Sequence, residues 1–244
     1  MRRRFFVDRF DAGTALLRGD SAEHLGRVLR AEQGQLYELS DGERVWLAKV
    51  ARVELAKRGE SRIEFSLVEP LPVSAPRLRI DLLLSIVKFD RLEWCLEKAT
   101  ELGATNIVPL AAARTDKPLI AAAGKRRERW KRIVLESAQQ SRRLKPPMLQ
   151  EIARPEKAFA VSPAGLRMLL SELRDAPPLR QVLSHAHGTT AATLAIGPEG
   201  GWTDEELVSA RRAKFVEASL GENILRTETA VVAAMAILNF AVGE

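Results

Sequence analysis

The sequence predicts a two-part α/β protein: a small β-rich module over residues 1–71, then a larger α/β domain over residues 77–244 built on a mostly parallel sheet. Three observations predict it. Short strand-like runs around an Asp41-Gly42 turn crowd the first part, in the manner of a small barrel. Three prolines, Pro70, Pro72 and Pro76, fall within seven residues and mark a linker. From Arg77 onward apolar runs alternate with helical periods, the pattern of parallel strands joined by crossover helices.

In the first part, Asp20 and Glu23 have the spacing of a capping box. Leu25, Val28 and Leu29 form the inward stripe of the helix that follows, with Arg27 and Arg30 facing water. Residues 36–39 and 45–50 are the two strands of a hairpin, and Ile63, Phe65 and Leu67 alternate with polar residues as a strand with one buried face requires. In the second part, residues 78–87 form a buried strand. Asp90 and Glu93 repeat the capping-box spacing before a helix whose stripe is Leu92, Cys95, Leu96 and Ala99, and Gly103 ends it. Residues 106–111 supply the next strand. A basic helix over 121–141 buries Trp130, Ile133, Val134 and Ala138 and stops before Pro146 and Pro147. Residues 166–170, 193–196 and 215–220 complete the strands, with Thr203 and Glu206 as a capping box for the helix between the last two. The final helix, 227–242, is apolar on every side except near Asn239, so both the sheet and a second copy of the chain are expected to cover it.

Composition narrows the function classes. A chain of 244 residues is long enough for one large or two ordinary domains with a real core. No stretch approaches the roughly 20 apolar residues of a membrane span. The basic start Met1-Arg2-Arg3-Arg4 meets Asp8 and Arg9 before any apolar signal region forms, so a cytoplasmic protein with no membrane partner is expected. The single cysteine, Cys95, excludes an intrachain disulfide and a cysteine-clustered metal site. His24, His185 and His187 are expected to be structural or solvent-facing, and no metal is expected. A net charge of +6 suits a polyanionic partner, and its distribution matters more: residues 125–145 hold nine Lys or Arg against two carboxylates, Glu128 and Glu136. On a helix such a run is either a solvated face or a nucleic-acid contact.

The chemistry concentrates between residues 196 and 230. After the apolar run Thr193-Leu194-Ala195-Ile196 comes Gly197-Pro198-Glu199-Gly200-Gly201, whose glycines let main-chain donors approach a flat ligand and adopt dihedrals that a Cβ forbids. After residues 215–220 comes Gly221-Glu222-Asn223-Ile224-Leu225-Arg226-Thr227-Glu228-Thr229, which sets a cation, two hydroxyls and a carboxylate at the start of the last helix. The chain has no Gly-x-x-x-x-Gly-Lys-Ser/Thr and no Gly-x-Gly-x-x-Gly, so neither a nucleoside triphosphate loop nor a dinucleotide fingerprint is supported. Arg226 either pairs with Glu222 or Glu228 at the helix start, or faces a ligand on which negative charge develops.

Further motifs accompany these turns: Lys88-Phe89-Asp90-Arg91-Leu92-Glu93-Trp94, Lys98-Ala99-Thr100-Glu101-Leu102-Gly103, Val108-Pro109-Leu110, the segment ending Glu136-Ser137-Ala138-Gln139-Gln140-Ser141-Arg142-Arg143, and His24-Leu25-Gly26-Arg27-Val28-Leu29-Arg30. Together they resemble the signature of the SPOUT-class RNA methyltransferases, and within it the RsmE family of small-subunit ribosomal RNA uridine N3 methyltransferases. The resemblance spans nearly the whole chain. It implies a PUA-like RNA-binding barrel over 1–71, a trefoil-knotted SPOUT methyltransferase domain over 77–244, and a homodimer. It also implies S-adenosyl-L-methionine as cofactor and small-subunit ribosomal RNA, free or in the assembled subunit, as partner.

By the same resemblance, the cofactor lies against three loops. These are Leu170-Ser171-Glu172; Ile196 with Gly197, Pro198, Glu199, Gly200 and Gly201; and Leu220, Gly221, Ile224, Leu225, Arg226 and Thr229. Ser171 departs from the histidine often seen there in the family. Arg226 is implied to hold a uracil oxygen or a phosphate as the N3 proton leaves, with Glu199 and Glu228 as general base or as the partner that orients Arg226. RNA contacts are expected from Arg2, Arg3, Arg4, Arg27 and Arg30, and from Lys88, Arg126, Arg129, Arg132 and Arg142. Two other readings stay open. One is a related SPOUT enzyme acting on another base or a ribose 2′-oxygen, although Leu225-Arg226-Thr227-Glu228-Thr229-Ala230 argues against the ribose group, whose third motif is usually Ser-Asn-rich. The other is a non-catalytic RNA-binding assembly factor, which predicts no cofactor on these turns.

Overall fold

The computed structural model describes residues 3–56, 59–73, 77–163, 165–173, 175–184, 186 and 188–242; Arg2, His185 and His187 lie outside the described residues. The chain divides into two compact units: residues 1–75 with Ala138–Pro146, and residues 76–137 with 147–244. The first unit is therefore not one run of chain, unlike the 1–71 segment expected. Backbone carbonyls draw the second segment in. Leu144 O accepts from Ser40 Oγ at 2.6 Å, and Arg142 O accepts from Arg4 Nη1 at 2.6 Å.

In the first unit, β1 (Arg4–Phe6), β2 (Phe10–Asp11), β3 (Thr14–Arg18), β4 (Leu36–Ser40), β5 (Val45–Glu54) and β6 (Arg62–Leu71) form one sheet in the order β1-β4-β5-β6-β3-β2. The β1–β4 pair is parallel and the other neighbours are antiparallel. Register shifts at Leu47/Ala48 and Val50/Arg52 bend the long β5–β6 ribbon, as bulges do, and the sheet curls around Phe5, Leu17, Leu39, Ile63 and Phe65. The Asp41 turn forms as expected, with Asp41 Oδ1 accepting from Glu43 N at 3.0 Å and Arg44 N at 2.7 Å.

The Asp20/Glu23 capping box does not form. Strand β3 runs directly into α1 (Gly19–Glu23), whose start has no side-chain cap, and the chain continues as a π turn over His24–Val28. That turn closes through Leu29 N to His24 O at 3.1 Å. One extra residue per turn rotates the later positions by about 100°. Leu25 accordingly stays buried, while Val28, expected inside, is 65% exposed.

In the second unit, β7 (Arg79–Ser85), β8 (Ala104–Leu110), β9 (Met148–Leu149), β10 (Leu166–Leu170), β11 (Ala191–Ile196) and β12 (Val216–Ala218) stand in the order β12-β10-β11-β7-β8-β9, every pairing parallel. The helices are α2 (Phe89–Glu101), α3 (Lys117–Ala123), α4 (Arg127–Gln140), α5 (Pro155–Ala160), α6 (Leu179–Leu183), α7 (Asp204–Arg212) and α8 (Thr227–Val242). Burial on both faces explains the unbroken apolar runs of the strands. From β7, Ile80, Leu82 and Leu84 join a core with Leu92, Leu96, Trp130, Val231 and Leu238, while Leu83 joins Phe159, Trp202 and Leu207 on the other face.

Helix α2 buries Leu92, Cys95, Leu96 and Ala99 as expected and is followed by Gly103 at φ +94. Its start differs from expectation. Lys88 is the N-cap residue, Asp90 sits in the first turn, and Glu93 is taken by Arg129 at 2.8 Å instead of by the helix end. The basic helix is broken into α3, a 3₁₀ turn over Gly124–Arg126, and α4. The Thr203/Glu206 capping box is complete: Glu206 N donates to Thr203 Oγ1 at 3.3 Å, and Thr203 N donates to Glu206 Oε2 at 2.9 Å. Helix α8 buries Val231, Ala234, Met235 and Leu238 but leaves Ile237 and Phe240 outside, Phe240 being 79% exposed.

Candidate active site

Because β10, β11 and β12 run parallel, their C-terminal ends lie at one edge of the sheet, where open α/β sheets carry their ligands. The loops that leave those ends surround a cavity of about 690 Å³. That volume lies within the roughly 300–1,000 Å³ of small-molecule sites. Leu170, Ser171 and Glu172 line it from the first loop, Ile196 and Gly197 through Gly201 from the second, and Leu220, Gly221, Ile224, Leu225 and Arg226 from the third. Thr229 and Glu228 do not line it.

Local chemistry explains the shape. Gly201 has φ +70 and Gly221 φ +131, conformations that L side chains rarely adopt. Gly197 and Gly200 are small for another reason: a Cβ on Gly197 would lie 3.0 Å from the Trp202 ring, and one on Gly200 would lie 3.1 Å from Arg114 Cβ. A side chain at either position would press on protein behind the turn. Trp202 Nε1 donates to Leu170 O at 2.9 Å and ties the second loop to the first. Arg114 Nη1 donates to Gly200 O at 3.0 Å. The buried Glu206 also accepts from Ala113 N at 2.8 Å, which locks the start of α7 to the loop after β8. In the first loop, Ser171 N donates to Ala218 O at 3.0 Å. In the third, Gly221 N donates to Ser219 Oγ at 3.2 Å.

The charged groups differ from expectation. Arg226 is exposed, lines the cavity and has no ion pair among the described residues, so pairing with Glu222 or Glu228 is not its role. Glu199 and Glu228 instead gather on Arg91, a cavity residue supplied by α2. Arg91 Nη1 pairs with Glu199, and Arg91 Nε lies 3.9 Å from Glu228 Oε1. Neither carboxylate orients Arg226. Glu228 stands behind Arg91, 20% exposed, and its Oε2 is buried without a hydrogen-bond partner among the described residues. Burial, with the Glu228 charge beside it, pushes the Cys95 thiol up to about 12, which leaves it an inert core group. Arg91 was absent from the expected site. It lies inside the Lys88 to Trp94 motif, but its partner is far along the chain and no periodicity links the two.

The expected RNA contacts fall into two classes. Arg3, Arg30 and Lys88 are exposed, and Arg27 is exposed with its side chain on Glu23 at 2.9 Å and Ala56 O at 2.9 Å. Arg4 is a structural cation: it is 14% exposed and bonded to Glu38 at 2.9 Å, while Arg142 Nη1 lies 3.6 Å from the same Glu38 carboxylate. Arg126 and Arg129 share Glu93, with Arg126 also 5.0 Å above the Phe89 ring, and Arg132 leans on Glu136.

The apolar wall of Leu170, Ile196, Leu225 and Ala230, beside carboxylates and cations on a rim of main chain, suits a ligand that is part aromatic and part zwitterionic, as S-adenosyl-L-methionine is. Among the described residues no group of three His, Cys, Asp or Glu is placed to hold a metal, and no helix is long and apolar enough to cross a membrane.

Comparison with known proteins gives a consistent picture. Residues 74–239 match the model of the RNA methyltransferase domain. The chain is similar to ribosomal RNA small subunit methyltransferase E of Synechocystis sp., 34% identical over 233 residues that cover 93% of this chain and 73% of that protein. The protein of the same name from Aquifex aeolicus is 29% identical, covering 96% of this chain and 97% of its own length. The crystal structure of ribosomal RNA small subunit methyltransferase E from Neisseria gonorrhoeae bound to S-adenosyl methionine superposes with a TM-score of 0.85 at 30% identity, covering 100% of this chain and 99% of that one. With the domain model spanning more than half of the sequence and these relatives spanning nearly all of it, the chain belongs to the ribosomal RNA small subunit methyltransferase E family.

Proposed function

We propose that this chain transfers a methyl group from S-adenosyl-L-methionine to N3 of a uridine in small-subunit ribosomal RNA. The observation that carries the reading is the convergence of three strand-end loops on one cavity that also displays Arg226, a cation with no ion pair among the described residues. A relative of the same fold is bound to S-adenosyl methionine, and the relatives' names specify small-subunit ribosomal RNA. The reading includes the threaded, trefoil arrangement of the loops and a PUA-like role for the first unit in gripping RNA.

The cofactor's sulfonium supplies an already activated methyl group, so the protein's task is to position a deprotonated base for in-line attack. The main chain of the three loops holds the ligand. Arg226 stabilises the negative charge that spreads to the uracil oxygens as the N3 proton leaves. Of the two carboxylates gathered on Arg91, Glu199 reaches the cavity, and Glu228 acts from behind by fixing Arg91, which in turn holds Glu199. N3 is a pairing position, so the target is unpaired or flipped out of its stack. Incubation with unmodified small subunits and cofactor, followed by mass spectrometry of digested nucleosides, is expected to show 3-methyluridine. A methyl group on another base or a ribose overturns the target; no methyl transfer together with no cofactor binding favours the assembly-factor reading.

The proposal extends to a cytoplasmic homodimer. Ile237 and Phe240 lie three residues apart on one uncovered face of α8, and a second copy of the same helix is the occupant that matches it. Sedimentation equilibrium at micromolar concentration is expected to give a dimer and Phe240→Asp a monomer; a monomeric parent protein overturns this.

A further inference from the structure

The positive charge that stands out in the sequence is largely neutralised in the structure. Along residues 125–132, Arg126 and Arg129 share Glu93, Arg127 pairs with Glu151, and Lys131 pairs with Glu128. Unneutralised charge gathers elsewhere in the second unit. At the start of β10, the opposite end of that strand from the cofactor cavity, lies an open cavity of about 540 Å³ walled by Arg167, Arg212, Lys214, Ser209 and a single carboxylate, Glu156. None of the three cations has an ion pair among the described residues.

Two features mark these cations as more than a solvated edge. The Arg167 guanidinium is fixed by three carbonyls: Nε donates to Pro163 O at 3.0 Å, Nη1 to Ala213 O at 2.7 Å and Nη2 to Ser162 O at 2.7 Å. Of its five N–H groups, two remain for an acceptor. The half-buried charge is thus held in place, with carbonyls as its only partners among the described residues, and meets an anion with little further loss of side-chain freedom. Lys214 occupies the left-handed position that follows α7, at φ +63. Phe215 N reaches back to Ala210 O at 2.9 Å, the closing bond of a helix end where glycine or asparagine is the usual residue. A lysine there costs stability that glycine would not, while helix-end compensation is already available from Arg211, which is paired with Glu217 at 2.6 Å.

We propose that this cavity binds backbone phosphates of the ribosomal RNA substrate, at a contact separate from the place of methyl transfer. The inference rests on the reading given under Proposed function. A phosphodiester fits because Arg167 offers a fixed charge with two N–H groups to spare while Arg212 and Lys214 offer mobile charges beside it.

The test uses the full-length protein and deproteinised small-subunit ribosomal RNA, with binding measured across a salt series. The double variant Arg212→Ala/Lys214→Gly is expected to bind RNA about 10-fold more weakly. Its log–log salt slope is expected to be shallower by about 1.4, for two phosphate contacts on a single strand. The RNA KM rises, while kcat at saturating RNA and the cofactor Kd stay within 2-fold. Melting temperature is unchanged or higher, because glycine relieves the left-handed strain. The charge-retaining variant Arg212→Lys/Lys214→Arg should match the parent. If the parent binds and methylates RNA and the double variant has the same affinity and slope, the proposal is overturned. Weaker RNA binding accompanied by a lower melting temperature and weaker cofactor binding also overturns it, as loss of fold. A parent protein that neither binds nor methylates ribosomal RNA would instead remove the functional reading on which the site depends.

Discussion

Arg226→Ala is expected to lower turnover by about two to three orders of magnitude, the range for loss of one donor that stabilises a developing oxyanion, while cofactor affinity stays within a few-fold. The split follows from the geometry. Arg226 lines the cavity without an ion pair among the described residues, so its removal strands no buried partner and leaves the three loops in place. Its charge matters most when N3 of the target loses its proton. Single-turnover methylation of small subunits, beside titration calorimetry with S-adenosyl-L-methionine, separates the two quantities. A variant that loses cofactor binding and thermal stability together would make Arg226 a structural residue of the helix start. Arg226→Lys, which keeps the charge but not the planar fork, should recover part of the turnover.

Cofactor affinity of Gly201→Val is expected to fall by about 10- to 100-fold. At φ +70 a β-branched residue carries strain of about 1–3 kcal/mol, and each 1.4 kcal/mol borne by the turn is tenfold in affinity. The space around Gly201 is open apart from Arg114 Nη1 at 3.8 Å, so the effect comes from the backbone dihedral and not from a clash. Gly201→Ala should therefore share most of the loss. Gly197→Val makes the contrast: its side chain meets the Trp202 ring and strains the Trp202 bond to Leu170 O, so it should lower thermal stability as well as cofactor binding. Calorimetric titration and thermal melts of the three variants check the assignment. Full cofactor affinity in Gly201→Val would mean that the turn tolerates a Cβ and that the ligand does not depend on its conformation.

The sequence by itself determined what is local. Sequence patterns, read with glycine and proline punctuation, located five of the parallel strands, though not β9, together with the α2 stripe and α8, because each pattern records which side of one element faces the core. The two glycine-bearing turns were legible because a left-handed φ restricts residue choice within the turn itself. Tertiary structure decided everything that depends on a partner distant in sequence. Asp20/Glu23, Asp90/Glu93 and Thr203/Glu206 share one spacing, yet only the last pair caps its helix. In the first, β3 runs straight into the helix at Gly19; in the second, Arg129 holds the Glu93 carboxylate. Four of the nine cations of residues 125–145, Arg126, Arg127, Arg129 and Arg142, looked free because their carboxylate partners Glu93, Glu151 and Glu38 lie outside that run. Arg91 entered the active site by the same rule. Its partners Glu199 and Glu228 reach it only after the sheet has assembled and brought α2, the loop after β11 and the start of α8 together, and long-range pairing of that kind leaves no periodic trace in the chain.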